Sequence, residues 1–354
     1  SGVGIAFGAN RVVLDGFTIH KSPPPSTATS YWGVNMGGNT QGFQIENNIF
    51  EDLTVGMILT QAGSVANPSS TVQHNLVRRM LAQTPPGALP GEGIYTQNFY
   101  NVAIDSNRFE DAAYSAVVFA SNTFRNVTLS NNEVYRTQQQ GIQAAGDCAN
   151  VTFTGNYIEQ ANMSSLTDKG GIRLYGANFT GTVSIDHNTI VNSYNGIAVK
   201  DGENITGKDI RVNYNKFISN SANGVYHAVG SGSLDASNNW WGDVTGPGGA
   251  GPGTGQSITA NVTAPSWRTC DCVIDSTSPG QPAAVADGTG ADIQFTSSAT
   301  QLDANWAAAS DADAVCTVGA AIQGYQVAIG TTSGGTDVPG WTSAGNITAT
   351  TTTG

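Results

Sequence analysis

Lysine and arginine are scarce in this chain, 14 in 354 residues against 26 acids, and three of them fall close together: Lys169, Arg173 and Lys200. The same stretch holds Asp168, Tyr175, Tyr194 and Asp201. A Lys, Arg or Tyr held beside a uronate carboxylate can take the proton α to it, so Lys169, Arg173 and Lys200 are the candidate catalytic residues. The same charges on a solvated loop would do no chemistry. A second set is aromatic: Tyr31, Trp32, Tyr95, Tyr114, Tyr175, Tyr194 and Tyr226. Flat apolar rings with polar tips suit sugar faces, which makes these the candidate carbohydrate-binding residues. Some of them are expected to pack their own loops instead. His20, His74, His187 and His227 are dispersed without metal-ligand spacing, so no metal site is expected.

These residues must be placed by a repeat. Segments of the form apolar-x-apolar-x-x-Asn-x-apolar recur, as in Phe43-Gln-Ile45-Glu-Asn-Asn48-Ile-Phe50, Val102-Ala-Ile104-Asp-Ser-Asn107-Arg-Phe109 and Val127-Thr-Leu129-Ser-Asn-Asn132-Glu-Val134. Further copies centre on Asn156, Asn188 and Asn215, and weaker ones on Phe17, Asn75 and Asn239. The spacing of roughly 24 to 32 residues is that of a solenoid. Between them lies a second motif, small-apolar-x-apolar, as in Gly33-Val-Asn-Met36, Gly141-Ile-Gln-Ala144 and Gly171-Ile-Arg-Leu174. Period-2 alternation bounded by Gly and Asn means short strands, three to a coil, stacked at ~4.8 Å. The recurrent Asn fits a tight corner, because it tolerates left-handed φ and its amide can bond the next Asn in the stack. About nine coils make a rod of roughly 40 Å.

These motifs resemble the right-handed parallel β-helix of the pectate-lyase-like superfamily, over nearly all of residues 1–268. The resemblance implies an all-β rod but not one activity, since that fold carries lyases, hydrolases, epimerases, adhesins and surface-layer proteins. It also implies an active face along one outward row, here Ala6, Asn35, Ile58, Tyr95, Val118, Gln143, Arg173, Ala198 and Tyr226, which contains no acid. A calcium-dependent lyase needs clustered carboxylates there, and a hydrolase of the polygalacturonase type needs two close carboxylates. The hydrolase and epimerase motifs of the superfamily are absent, and no cofactor is expected; Ca²⁺ is not indicated. Insertions at residues 20–32, 78–92 and 159–170 all precede the same outward strand and would rim this face. A second outward row (Asp15, Glu46, Gln73, Asp105, Ser130, Thr154, Asp186, Asn213, Ser237) reads as a polar solvent face. The segment Asn238-Asn-Trp-Trp-Gly, with Trp267 to follow, is similar to the last-coil terminator of cell-surface β-helix proteins, with Trp240 and Trp241 covering the open apolar end.

Residues 269–282 read as a Pro/Ser/Gly linker and 283–354 as a β-sandwich module. Leu302-x-Ala-x-Trp306 and Gly324-Tyr325-x-Val-x-Ile329 look like a partial fibronectin type III module whose last strands are missing. Cys270 and Cys272 are too close in sequence for an unstrained bridge to each other, and a disulfide from one of them to Cys316 suits a secreted protein. The Asn-x-Ser/Thr tripeptides at Asn126 and Asn150 are explained by the repeat itself.

Composition bounds the partners. Every Lys and Arg lies at or before Arg268, so residues 1–268 carry −4 (14 basic, 18 acidic) and residues 269–354, with eight Asp and no base, carry −8. A total of −12 argues against nucleic acid. No run approaches the ~20 apolar residues of a membrane span. No signal-peptide pattern opens the chain, whose first residues read as mid-structure. Together these features give an extracellular or cell-surface structural and adhesive protein facing a polysaccharide or surface glycan, with copies joined head-to-tail through open ends. The alternative is a polysaccharide lyase or related uronan-active enzyme.

Overall fold

The computed structural model describes all residues except 1, 22–29, 37–39, 62–64, 83–90, 121, 272–279, 281, 283–284, 293–297, 299, 310–321, 323, 333–334, 338–339, 346 and 354. The chain divides into two units, Ser1–Thr269 and Cys270–Gly354.

The first unit is a parallel β-helix. Alternation of apolar and polar residues gives most strands of the second and third sheets one buried face, whereas central strands of the first, such as Val117–Phe119 and Asn195–Val199, are buried throughout; the three parallel sheets have eleven, eight and eight strands. Inward positions stack like on like. Val34, Met57, Ile94, Val117, Ile142, Ile172, Ile197 and Val225 line the first sheet. Ile45, Val72, Ile104, Leu129, Phe153, Ile185 and Val212 line the second. All are sealed from solvent. Each contributes ~1.5–3 kcal/mol of burial, so the core is a continuous column rather than a ball.

The corner between the second and third sheets is an asparagine ladder: Asn48, Asn75, Asn107, Asn132, Asn156, Asn188, Asn215 and Asn239, all at most 2% exposed. Each amide nitrogen from Asn48 to Asn215 donates to the side-chain oxygen of the next Asn at 2.8–3.0 Å. The same oxygen accepts the backbone N–H of the Asn below. The second amide hydrogen goes to a strand carbonyl, as Asn132 Nδ2 to Ile104 O at 2.9 Å. No ladder side chain has an unpartnered polar atom. The left-handed turn expected of these asparagines belongs to the residue before each one: Asn47, His74, Ser106, Asn131, Gly155, His187, Tyr214 and Asn238. The chain bends one residue early so that the ladder side chain can turn inward.

A second stack of left-handed corners follows the third sheet and is ion-paired along the axis, Asp52 with Arg79 at 2.8 Å and Asp111 with Arg136 at 2.6 Å. At the C-terminal end of the rod Trp241 is fully buried on Phe217, ring centroids 5.0 Å apart. Trp240 is half-buried and does not share that role; it caps with its backbone, its N–H donating to Asn215 O and its carbonyl accepting from Phe217 N. Gly246, at φ +89, lies against the Trp267 ring, where a Cβ would come within 2.5 Å.

The second unit has two small antiparallel sheets. Val285–Asp287, Gln301–Trp306 and Ala349–Thr353 form one, and Tyr325–Val327 with Thr342–Gly345 the other. Trp306 is buried, and its ring stands 5.4 Å from that of Tyr325. Cys270 is disulfide-bonded, while its candidate partners Cys272 and Cys316 lie outside the described residues. Cys148 is a buried free thiol.

The ladder makes a direct prediction. Asn132→Ala removes two N–H donors and the one oxygen that accepts two further hydrogen bonds, and orphans the Asn107 backbone N–H, at a cost of about 3 kcal/mol. Asn131→Ala, at φ +55 with an exposed side chain, should cost about 1 kcal/mol. Denaturant unfolding of both variants measures the difference, and equal losses would assign the corner's stability to its backbone geometry alone.

Candidate functional site

The outward row of the first sheet is in register along its whole length, Ala6, Asn35, Ile58, Tyr95, Val118, Gln143, Arg173, Ala198 and Tyr226. It carries no acid of its own. Carboxylates reach its edge from the loop 159–170 and from the turn after Asn195–Val199. Two buried asparagines shape that loop. Asn162 Nδ2 donates to Leu166 O and Lys169 O at 2.7 and 3.0 Å, and its Oδ1 accepts Leu166 N at 3.0 Å. Asn195 Nδ2 donates to Thr167 O and Lys169 O at 2.8 and 2.7 Å. The backbone around Asp168 and Lys169 is thereby held from both sides.

Arg173 is the centre of the cluster and only 6% exposed. Its Nη2 meets Asp168 Oδ2 at 2.5 Å and its Nε donates to Asp168 O at 3.0 Å. Its Nη1 donates to Tyr175 OH at 3.0 Å and to Gln143 Oε1 at 3.5 Å. Asp168 also accepts Asp201 N at 3.4 Å, and Asp201 Oδ1 accepts the Tyr226 hydroxyl at 2.9 Å. Burial, with the Asp201 bond, pushes the Tyr226 hydroxyl up to about 12. Lys200 stands 3.6 Å from Glu203 and 5.3 Å from the Tyr175 ring. Lys169 bonds Gln139 and lies over the Tyr114 ring at 5.4 Å; burial and the Arg173 charge lower its pKa.

The structure thus brings together Asp168, Lys169, Arg173, Tyr175, Lys200 and Asp201, with Tyr114 beside Lys169 and Tyr194 close enough to Tyr226 to disfavour its ionisation. Tyr31 and Trp32 stand apart. Their strand, Tyr31–Met36, is five places from Ile172–Leu174 in the sheet, about 24 Å at the usual strand spacing. Tyr226 is 6% exposed, so it offers no ring face; it serves Asp201 instead. Tyr95, Tyr114, Tyr175 and Tyr194 are half-buried. The insertion 159–170 does rim the face, whereas much of 20–32 and 78–92 lies outside the described residues.

Two residues escaped the sequence reading. Glu203 is the Lys200 partner. Glu92 is 3% exposed, and burial alone pushes its carboxyl up to about 8. Glu92 is followed up the sheet, in register, by Ser115 and Gln140, and each leaves one buried oxygen without a hydrogen-bond partner. Glu92 in turn acts on Tyr114, whose pKa is raised first by its own burial and then by the Glu92 charge. A signal existed: the equivalent positions hold Trp32, Val55, Ser115, Gln140, Gly170, Asn195 and Asn223, so Glu92 is the sole acid in that row.

The family described as "Right handed beta helix region" matches residues 1–158 and, overlapping, 125–208. A curated relative is endopolygalacturonase 1 of Colletotrichum lindemuthianum, 25% identical over 211 residues, 59% of this chain. The match spans about half, 51%, of that relative's length. No solved structure gives a significant match.

Glu92 sets a pH test. The folded rod keeps a proton up to about pH 8 that the unfolded chain releases above about 4.5, the ordinary value. Its contribution is therefore fully present below 4.5, falls by about 1.4 kcal/mol per pH unit toward 8, and is level above. Thermal midpoints across this range should decline more steeply for the wild type than for Glu92→Gln, with parallel curves above pH 8. Superimposable profiles would place an ionised carboxylate in the fold.

Proposed function

The chain belongs to the right-handed β-helix family, and from that premise we propose that it is an adhesive, polysaccharide-binding protein of the cell surface or extracellular space, using the outer face of its first sheet. The observation that carries this reading is the state of the basic residues. Arg173 is closed by Asp168, Tyr175 and Gln143, Lys169 is bonded to Gln139, and Lys200 sits beside Glu203. A lyase base must be free to take a proton at neutral pH; Arg173 and Lys200 are paired with acids, and Lys169, although burial and Arg173 lower its pKa, is committed to Gln139. The same side chains instead hold half-exposed tyrosine rings beside polar atoms, the arrangement that suits sugar faces. In this reading the rod is a rigid presenting surface and the second unit a fibronectin type III-like spacer.

The second reading, a uronan-active enzyme, is favoured by the similarity to an endopolygalacturonase. The two separate in one experiment. Immobilised polysaccharides incubated with the protein should retain it without releasing new reducing ends or unsaturated products, and Tyr175→Ala should weaken retention about tenfold. Product that disappears in Arg173→Ala and Lys200→Ala would establish the enzyme instead.

A further inference from the structure

We infer that the ligand of this face is an uncharged, hydroxyl-rich glycan and not a polyuronate, an inference that rests on the binding reading above. The argument is one of charge. Lys169, Arg173 and Lys200 bring three formal positive charges, and Asp168, Asp201 and Glu203 three negative ones, so the cluster sums to zero. Its most buried cation is neutralised at contact: Arg173 has a 7% exposed side chain and meets Asp168 at 2.5 Å. A sugar carboxylate arriving here would have to displace Asp168 from the nearly buried Arg173 guanidinium, and breaking such a pair leaves a charge uncompensated. It would also approach a rod of net −4 within a chain of net −12, whose field opposes a polyanion at long range.

Asp201 points the other way. It accepts Tyr226 OH on Oδ1, and its Oδ2 has no partner among the described residues. A half-buried carboxylate with one open oxygen is an acceptor for sugar hydroxyls, and such charge-assisted bonds are stronger than neutral ones. It repels a uronate. Tyr226 is nearly buried and gives its only hydroxyl hydrogen to Asp201, so it fixes where that acceptor stands. The Tyr175 ring, ordered by the Arg173 bond to its hydroxyl, supplies the apolar platform alongside. Open acceptor, ordered ring and balanced charge describe a site for hydroxyls.

The test uses the whole chain against neutral galactan, mannan and β-glucan, against polygalacturonate, and against chitosan, at low and moderate salt. A neutral polymer should be retained, with little salt dependence, and polygalacturonate should not. Asp201→Asn, of nearly the same shape, should weaken retention of the neutral polymer about tenfold while its thermal midpoint stays close to that of the wild type. Retention of polygalacturonate or chitosan in preference to the neutral polymers would overturn the ligand class and leave the binding reading standing. Undiminished retention by Asp201→Asn would overturn the role of Asp201. Retention of no polymer would overturn both readings.

Discussion

The asparagine ladder is the interaction on which the rest of the structure depends. A solenoid has no natural stop to sliding between coils, because each strand can pair with its neighbour in several registers. A one-residue slip turns every inward side chain out. The ladder removes that freedom. From Asn48 to Asn239 each amide is satisfied only when the next coil's Asn stands directly above it. Because all eight are buried, a slipped coil would leave amide groups unpaired in a dry interior, at ~1–3 kcal/mol each. The apolar column then falls into register as a consequence: Val127 over Val102, Val151 over Val127, Ile185 over Phe153.

Register fixed at one corner is inherited by the opposite face. The outward row of the first sheet is straight because the coils beneath cannot slide, and straightness puts Gln143, Arg173 and Tyr226 at successive heights with one neutral step, Ala198, between the last two. Charge pairing along the axis works in the same way on the third side, where Arg79 meets Asp52 and Arg136 meets Asp111. These exposed pairs contribute little to stability one by one. Their effect is that most of the rod's arginines are already committed to an acid of a neighbouring coil, which leaves few cations to recruit an anionic ligand.

Much of this could be read from residues in order. The outward row and its lack of acid followed from period-2 alternation, and the stacked Asn from its fixed offset behind two apolar positions. What escaped had tertiary causes. The turn residue is variable in type (Asn, His, Ser, Gly or Tyr), so its left-handed backbone leaves no compositional trace, while the ladder Asn beside it is conspicuous. Tyr31 and Trp32 carry the same ring chemistry as Tyr175 but enter the sheet five strands earlier. Tyr226 was legible as outward, and it is; its burial and its bond to Asp201, which stands on a turn, are tertiary features that no strand pattern encodes. Glu92 stands between Gly91 and Gly93, and nothing in that local sequence marks its carboxyl as buried.

In the ladder, where the stack repeats like on like, every amide finds partners; one row that departs from repetition leaves buried oxygens without them. The row Trp32, Val55, Glu92, Ser115, Gln140, Gly170, Asn195, Asn223 has no two adjacent residues alike until its end, and there Asn223 Nδ2 bonds Asn195 Oδ1 as in the ladder. Earlier in the row, Glu92, Ser115 and Gln140 each keep an unpartnered buried oxygen. Departures that cost stability persist where something other than folding selects them, and this row borders the one face that also breaks the apolar pattern with Gln143 and Arg173. The ladder makes such departures tolerable, because a coil locked at one corner can carry a strained neighbour at another without losing register. The candidate site borders a row where the repeat fails, and the fold's uniformity is what makes that failure visible.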